Sequence, residues 1–207
     1  MQNNYTKQEM LDKVGTYEFL AEPFHCDFSN RLFMGHLGNH LLNAADFHSN
    51  DRNFGMNYLH TINKTWVLSR LAIEMEEMPL AYTRFSVETW VENALRFFTN
   101  RNFKVSDVKD GKVYGYGKSV WAMIDTETRQ PADLFEINDG DIKNYILSDK
   151  ECPMPQPEKD LERPSSTRLE ARFLYYDLRV KTRSPSPLAW GPDFLRKRPR
   201  SLRSKDL

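Results

Sequence analysis

The 207-residue chain predicts an α+β layer, one long helix covered by a curling antiparallel sheet. Three observations predict it. Apolar residues Phe33, Leu37, Leu41 and Ala44 or Ala45 recur at helical spacing between positions 32 and 48. Four strand-like segments then follow in series, at 63–74, 83–92, 95–105 and 113–124. The last of these begins after Lys109-Asp110-Gly111, a strong hairpin turn signal that marks an antiparallel connection.

Each element has its own local reason. Positions 15–28 alternate loosely and carry Tyr17, Phe19, Leu20, Phe24 and Phe28, which suits a first strand. Asp27, Ser29 and Asn30 offer helix N-caps. Gly35 and Gly38 fall inside the helix, where each costs ~1 kcal/mol relative to alanine. Close approach of another backbone is the expected compensation. Gly55, with Asn50, Asp51 and Asn53, marks an exit loop. In 83–92 the residues Phe85, Val87, Thr89 and Val91 share one face, and Ser86, Glu88, Trp90 and Glu92 the other. The next strand places Thr99, Arg101 and Phe103 together, and small residues at 115, 117 and 119 leave room for a packed helix. A short helix is expected at 139–147, a proline-rich linker at 152–166 and one more strand at 168–180. No tandem repeat is evident.

Composition narrows the function classes. From Lys181 to Leu207 there are eight Lys/Arg against two Asp/Glu, leaving 21 against 27 in the rest, so a mildly acidic body carries a basic tail. Cys26 and Cys152 lack metal or redox spacing and read as free thiols. The polar N-terminus has no signal-peptide core, and no apolar run approaches the ~20 residues of a spanning helix. A soluble cytoplasmic protein is expected, with no membrane partner.

Four motifs in order carry a resemblance: Trp66-Val67-Leu68-Ser69-Arg70, Thr89-Trp90-Val91, Ser119-Val120-Trp121-Ala122-Met123 and Asp125-Thr126-Glu127-Thr128-Arg129. Over roughly positions 14–150 the chain resembles the bacterial-type acyl-acyl-carrier-protein thioesterases, enzymes of fatty acid biosynthesis built from two hot-dog repeats. The resemblance implies a hot-dog repeat over 1–150, a linker over 151–166 and an incomplete second repeat over 167–207 that ends in a basic tail expected to be disordered. It implies hydrolysis of fatty acyl thioesters, an acyl carrier protein partner, and no cofactor beyond that partner's phosphopantetheine arm. In the family the second repeat carries Asp-Leu-Asp-x-Asn-x-His-Val-Asn. Here the corresponding stretch is Asp177-Leu178-Arg179-Val180-Lys181-Thr182-Arg183-Ser184, so Asp177 is the surviving catalytic match. Arg183 stands where a histidine would move the proton, and it stays protonated. The end reads as truncated or frame-shifted, and impaired catalysis is the expectation. The alternative is a non-catalytic acyl-binding or scaffold module. Hot-dog sheets pair edge to edge, so a homodimer is also expected.

Substrate-lining candidates are Trp66, Trp90 and Trp121 on strands and Met34, Leu37 and Leu41 on the helix, together with Leu42; ordinary core packing is the competing reading for all of them. His36 and His40 stand four apart on the helix, but no further ligand is suitably spaced, so no metal is assigned. Gly115-Tyr116-Gly117-Lys118-Ser119 lacks the first glycine of a phosphate loop, since position 112 is Lys112, and is read as strand. Cys26 reads as an idle thiol. Arg96, Arg101 and Lys104 either meet an acidic carrier protein or decorate a solvated sheet face. The tail's Arg196-Lys197-Arg198-Pro199-Arg200 follows no nucleic-acid module, and no nucleic-acid partner is assigned.

Overall fold

The structure is a computed structural model that describes residues 11–154 in full and the backbone of 169–173 and 176–180. Strand β1 (Val14–Leu20) leads to helix α1 (Met34–Asp51) and the short helix α2 (Met56–Thr61). Strands β2 (Lys64–Met75), β3 (Arg84–Ala94), β4 (Phe98–Asp107) and β5 (Val113–Asp125) follow, then a 3-10 segment over Leu134–Tyr145. The five strands form one sheet in the order β1-β3-β4-β5-β2, antiparallel throughout. One long helix against an antiparallel sheet is the predicted class.

The helix buries Leu37, Leu41, Ala44 and Ala45 against Phe85 and Val87 of β3, Phe103 and Val105 of β4, and Leu71, Ile73 and Met75 of β2. Strand alternation puts Phe85, Val87, Thr89 and Val91 on this face, as predicted. A bulge between Leu68 and Arg70 shifts the parity of β2. Because of it, Trp66 and Leu68 turn inward before the bulge, and Leu71, Ile73 and Met75 turn inward after it. Part of the outer face is covered too. Trp90 is fully buried there, beneath Lys150, whose Nζ lies 4.6 Å from the ring centroid.

Several expectations are corrected. The helix runs from Met34 to Asp51, three residues past the expected end, and the exit loop contains α2. Among the described residues no strand bears on the helical glycines: a Cβ at Gly38 would have no neighbour within 4 Å, and one at Gly35 would meet the Phe33 side chain. The close approaches fall on strand glycines. A Cβ at Gly117 would lie 3.3 Å from Leu41 Cδ1, and one at Gly15 would lie 2.8 Å from His48 Cδ2. Helix side chains therefore reach into gaps left on the sheet. The first strand stops at Leu20, before a 3-10 turn over Pro23–His25. The predicted strand at 168–180 is a hairpin of β6 (Leu169–Phe173) and β7 (Tyr176–Val180). The linker from 155 and the basic tail lie outside the described residues.

Candidate functional site

A cavity of about 240 Å³ opens between the C-terminal half of α1 and the sheet. Its apolar wall comes from Leu42, Ala45, Phe54, Met56, Val91 and Ile142, with Trp66 and Trp121 as its largest side chains. Asn43, Asp46, Ser49, Thr99 and Arg101 add polar groups. Small residues on the helix create the space: where Leu37 and Leu41 fill the core, one and two turns further the shorter Ala45 and Ser49 leave room above the sheet.

Both indoles are anchored by their N–H groups. Trp66 Nε1 donates to the Phe54 carbonyl at 2.8 Å, and Trp121 Nε1 donates to Ser119 Oγ at 2.8 Å. Their ring surfaces are left for the cavity. The Leu134–Tyr145 segment closes one side. It starts at Asp133, whose carboxylate accepts from Phe135 N at 2.9 Å, and kinks through Asn138, Asp139 and Gly140 in left-handed conformations. This kink lets Ile137 pack with Leu59 and Met123 while Ile142 reaches the cavity and packs with Phe54 and Tyr145.

Arg101 contradicts the solvated-face reading and the carrier-contact reading alike. It is 4 % exposed, because Thr99, Arg101 and Phe103 point toward the helix. Its Nη2 donates to Ser49 Oγ at 3.0 Å and its Nη1 to Thr89 Oγ1 at 3.2 Å. Burial lowers its pKa to about 9, with nearby Arg52 acting in the same direction, so it remains a cation at neutral pH. Arg96 and Lys104 do lie at the surface, paired with Asp133 and Glu88.

The histidines lie elsewhere. His48 is fully buried, with Nε2 3.1 Å from the Lys13 carbonyl. Burial, then the charges of Arg101 and Arg52, push its pKa down to about 2, so the ring is neutral and Nε2–H donates. His36 stacks on His25 at 4.0 Å between centroids, and His40 packs against Phe19 and Phe85. Among the described residues no group of three His, Cys, Asp or Glu side chains is arranged to hold a metal. The Cys26 thiol donates to the Glu22 carbonyl at 3.3 Å, and burial raises its pKa, which keeps it a thiol.

The sequence profile of the acyl-ACP thioesterase N-terminal domain matches residues 13–139. The chain belongs to this family. Among solved structures, an acyl-ACP thioesterase from Bacteroides thetaiotaomicron is 55 % identical, with a TM-score of 0.65, over 78 % of this chain and 65 % of that one. The 12:0-ACP thioesterase from Umbellularia californica shares the fold at TM-score 0.59 and 18 % identity. Among curated relatives, a chloroplastic oleoyl-acyl carrier protein thioesterase of Arabidopsis thaliana is 31 % identical over 102 residues. Those residues make up 49 % of this chain and 25 % of that protein. The chain thus spans about a quarter of that curated relative and under two thirds of the Bacteroides protein. The fold is the hot-dog fold.

Within this thioesterase domain the sequence-derived candidates separate. Trp66, Trp121 and Leu42 line the cavity. Leu37 and Leu41 are fully buried core, and Met34 packs at its margin. Trp90 is not at the cavity, because its strand position turns it to the opposite face. Asp177 falls in β7, and its side chain lies outside the described residues. Sequence reasoning missed Asp46, Ser49 and Phe54. The helical period, carried one turn past Ala45, would have found Ser49.

Proposed function

We propose that the chain supplies the acyl-holding half of a thioesterase that hydrolyses fatty acyl thioesters on an acyl carrier protein, giving free fatty acid and the carrier thiol. The observation that carries this reading is the largely apolar cavity with its two anchored indoles, inside a domain of this family. At ~30 Å³ per water-sized group, its volume suits about eight methylene-sized units. Trp66 and Trp121 flank the acyl chain, while Met34, Leu37 and Leu41 hold the helix in register rather than touch substrate.

No histidine or cysteine lines the cavity among the described residues. That supports acyl binding here, with activation of the attacking water outside this wall and Asp177 as the candidate for it. It equally favours the second reading, an acyl-binding module without turnover. We place the protein in the cytoplasm, since its free, separated cysteines suit a reducing compartment. We also expect it to pair as a homodimer through β1, an edge strand of the sheet.

The test is to incubate the full chain with octanoyl-loaded carrier protein, measuring acyl binding and thiol release together. Saturable binding with release far slower than that of the Bacteroides protein is expected. Binding with no release selects the module. Absence of binding sinks both readings, and release as fast as the Bacteroides protein's overturns the expected impairment.

A further inference from the structure

The cavity wall contains a cation that a hydrocarbon chain cannot satisfy. Among the described residues no carboxylate lies within 4.0 Å of the Arg101 guanidinium. Its acceptors there are two hydroxyls. Each hydroxyl is already committed as a donor: Ser49 Oγ gives its proton to the Ala45 carbonyl at 2.9 Å, and Thr89 Oγ1 gives its proton to the Asn102 carbonyl at 3.0 Å. A guanidinium has five N–H donors, so among the described residues most of its capacity is unmet. The Asp46 carboxylate acts on it through space but forms no ion pair with it within 4.0 Å, and a buried ion short of direct acceptors is costly to hold unless something else compensates.

On the same wall Asp46 presents its two carboxyl oxygens as acceptors. Its Oδ2 accepts from Asn50 Nδ2 at 2.9 Å and its Oδ1 from Met56 N at 3.2 Å, and each oxygen retains a further lone pair. One cavity therefore shows a donor-only group and an acceptor-only group. A hydroxyl complements both, taking a hydrogen bond from Arg101 and giving one to Asp46. A carbonyl oxygen would serve Arg101 alone. A carboxylate would serve Arg101 but meet the like charge of Asp46.

Depth fixes where that hydroxyl sits on the ligand. Arg101 is almost inaccessible, and a folded carrier protein cannot enter a cavity of about 240 Å³, so a chain threaded in from the mouth brings the atoms remote from its carrier to Arg101.

We propose that the cavity selects acyl chains bearing a hydroxyl near the end remote from the thioester, with Arg101 as the specificity-determining residue and Asp46 as its complement. This rests on the acyl-cavity reading above.

Calorimetric titration of the full chain with S-octanoyl-pantetheine, S-(omega-hydroxyoctanoyl)-pantetheine and the omega-carboxy analogue tests it. The hydroxyl ligand should bind about tenfold or more tighter than the plain one, the gain expected for one hydrogen bond to a buried charge. Arg101→Met should reverse that order, and Arg101→Lys should keep part of it. Equal or tighter binding of the plain chain by the unmodified protein overturns the proposal, since water would then satisfy Arg101. Tightest binding of the carboxylate overturns the role of Asp46. Should Arg101→Met fail to fold, the ratios measured on the unmodified protein decide alone. If none of the three ligands binds, the acyl-cavity reading itself has failed.

Discussion

The two ends of the helix–sheet interface are built from the same strands and the same helix, yet one is solid and the other hollow. At the solid end Phe85, Val87, Phe103 and Val105 meet Leu37 and Leu41, all at 0 % exposure. At the hollow end those strands present Val91, Thr99 and Arg101 to Ala45 and Ser49. The pairing of Val91 with Arg101 continues the ladder that pairs Val87 with Val105, and the register shifts only beyond Val91, so the pairing of these residues does not distinguish the ends. Side-chain size and polarity do. The cavity is made by shortening the helix side chains, beside a β2 bulge that turns Trp66 inward.

The contrast predicts different responses to substitution, the largest at the solid end. Phe103→Ala removes a fully buried ring that packs against Gly117 and should cost about 3–5 kcal/mol in denaturant unfolding. A loss under about 1 kcal/mol would mean that this end also has slack, and the distinction between the ends would fall.

Neighbouring alanines sharpen the comparison. Ala44 is fully buried and does not touch the cavity, whereas Ala45 lines it. Ala44→Leu overpacks a filled region and should destabilise by about 1–3 kcal/mol. Ala45→Leu has empty volume to enter, so it should cost under about 1.5 kcal/mol while weakening octanoyl binding. Unfolding curves and ligand titration on the two variants check this, and equal behaviour would contradict it.

The same contrast explains what was legible in the sequence. The solid end announces itself through Phe85-Val87 alternation and the Leu37–Leu41 spacing, because large apolar residues repeat with a period. The hollow end is written in small and polar residues, which carry little periodic signal, so Ser49 and Asp46 went unnoticed. Arg101 fell on the right face by alternation with Thr99 and Phe103, but its charge argued for solvent, and tertiary burial prevailed. Trp90 belonged to a recognised motif, yet its alternation with Ser86, Glu88 and Glu92 already set it on the face away from Phe85 and Val87. The kink at Asn138–Gly140 depends on left-handed backbone that no hydrophobic pattern encodes.

Beside the hollow end, His48 sets a pH dependence. Its pKa of about 2 in the folded state is far below the ordinary 6.5 of an unfolded chain, because burial and the charges of Arg101 and Arg52 disfavour protonation. Below pH 6.5 the unfolded chain takes up a proton that the folded protein refuses. The stability that His48 contributes is therefore complete above pH 6.5 and is lost as pH falls toward about 2. Across pH 6 to 4 the protein should lose about 1.4 kcal/mol per pH unit more than a His48→Gln variant. Matching slopes would show that the ring is accessible to protons, and hence that the cavity end is open to water deeper than its walls indicate.

The smallest effect belongs to the outer face. Lys150 donates to Glu88 Oε2 at 2.8 Å and covers the Trp90 ring, while Lys104 donates to Glu88 Oε1 at 2.9 Å. Burial pushes the Glu88 carboxyl up, but its bonds to Lys150 and Lys104 outweigh that and hold it below the usual range. About a third of the Lys150 side chain is exposed, so solvent screens most of the ion pair. Lys150→Met should therefore cost under about 1 kcal/mol, part of it from the lost cation–π contact with Trp90. Acyl affinity should not change, since the sheet itself separates Trp90 from Trp66 and Trp121. A shift in octanoyl binding on this substitution would mean that the two faces are coupled, and the cavity could no longer be treated as a property of the helix side alone.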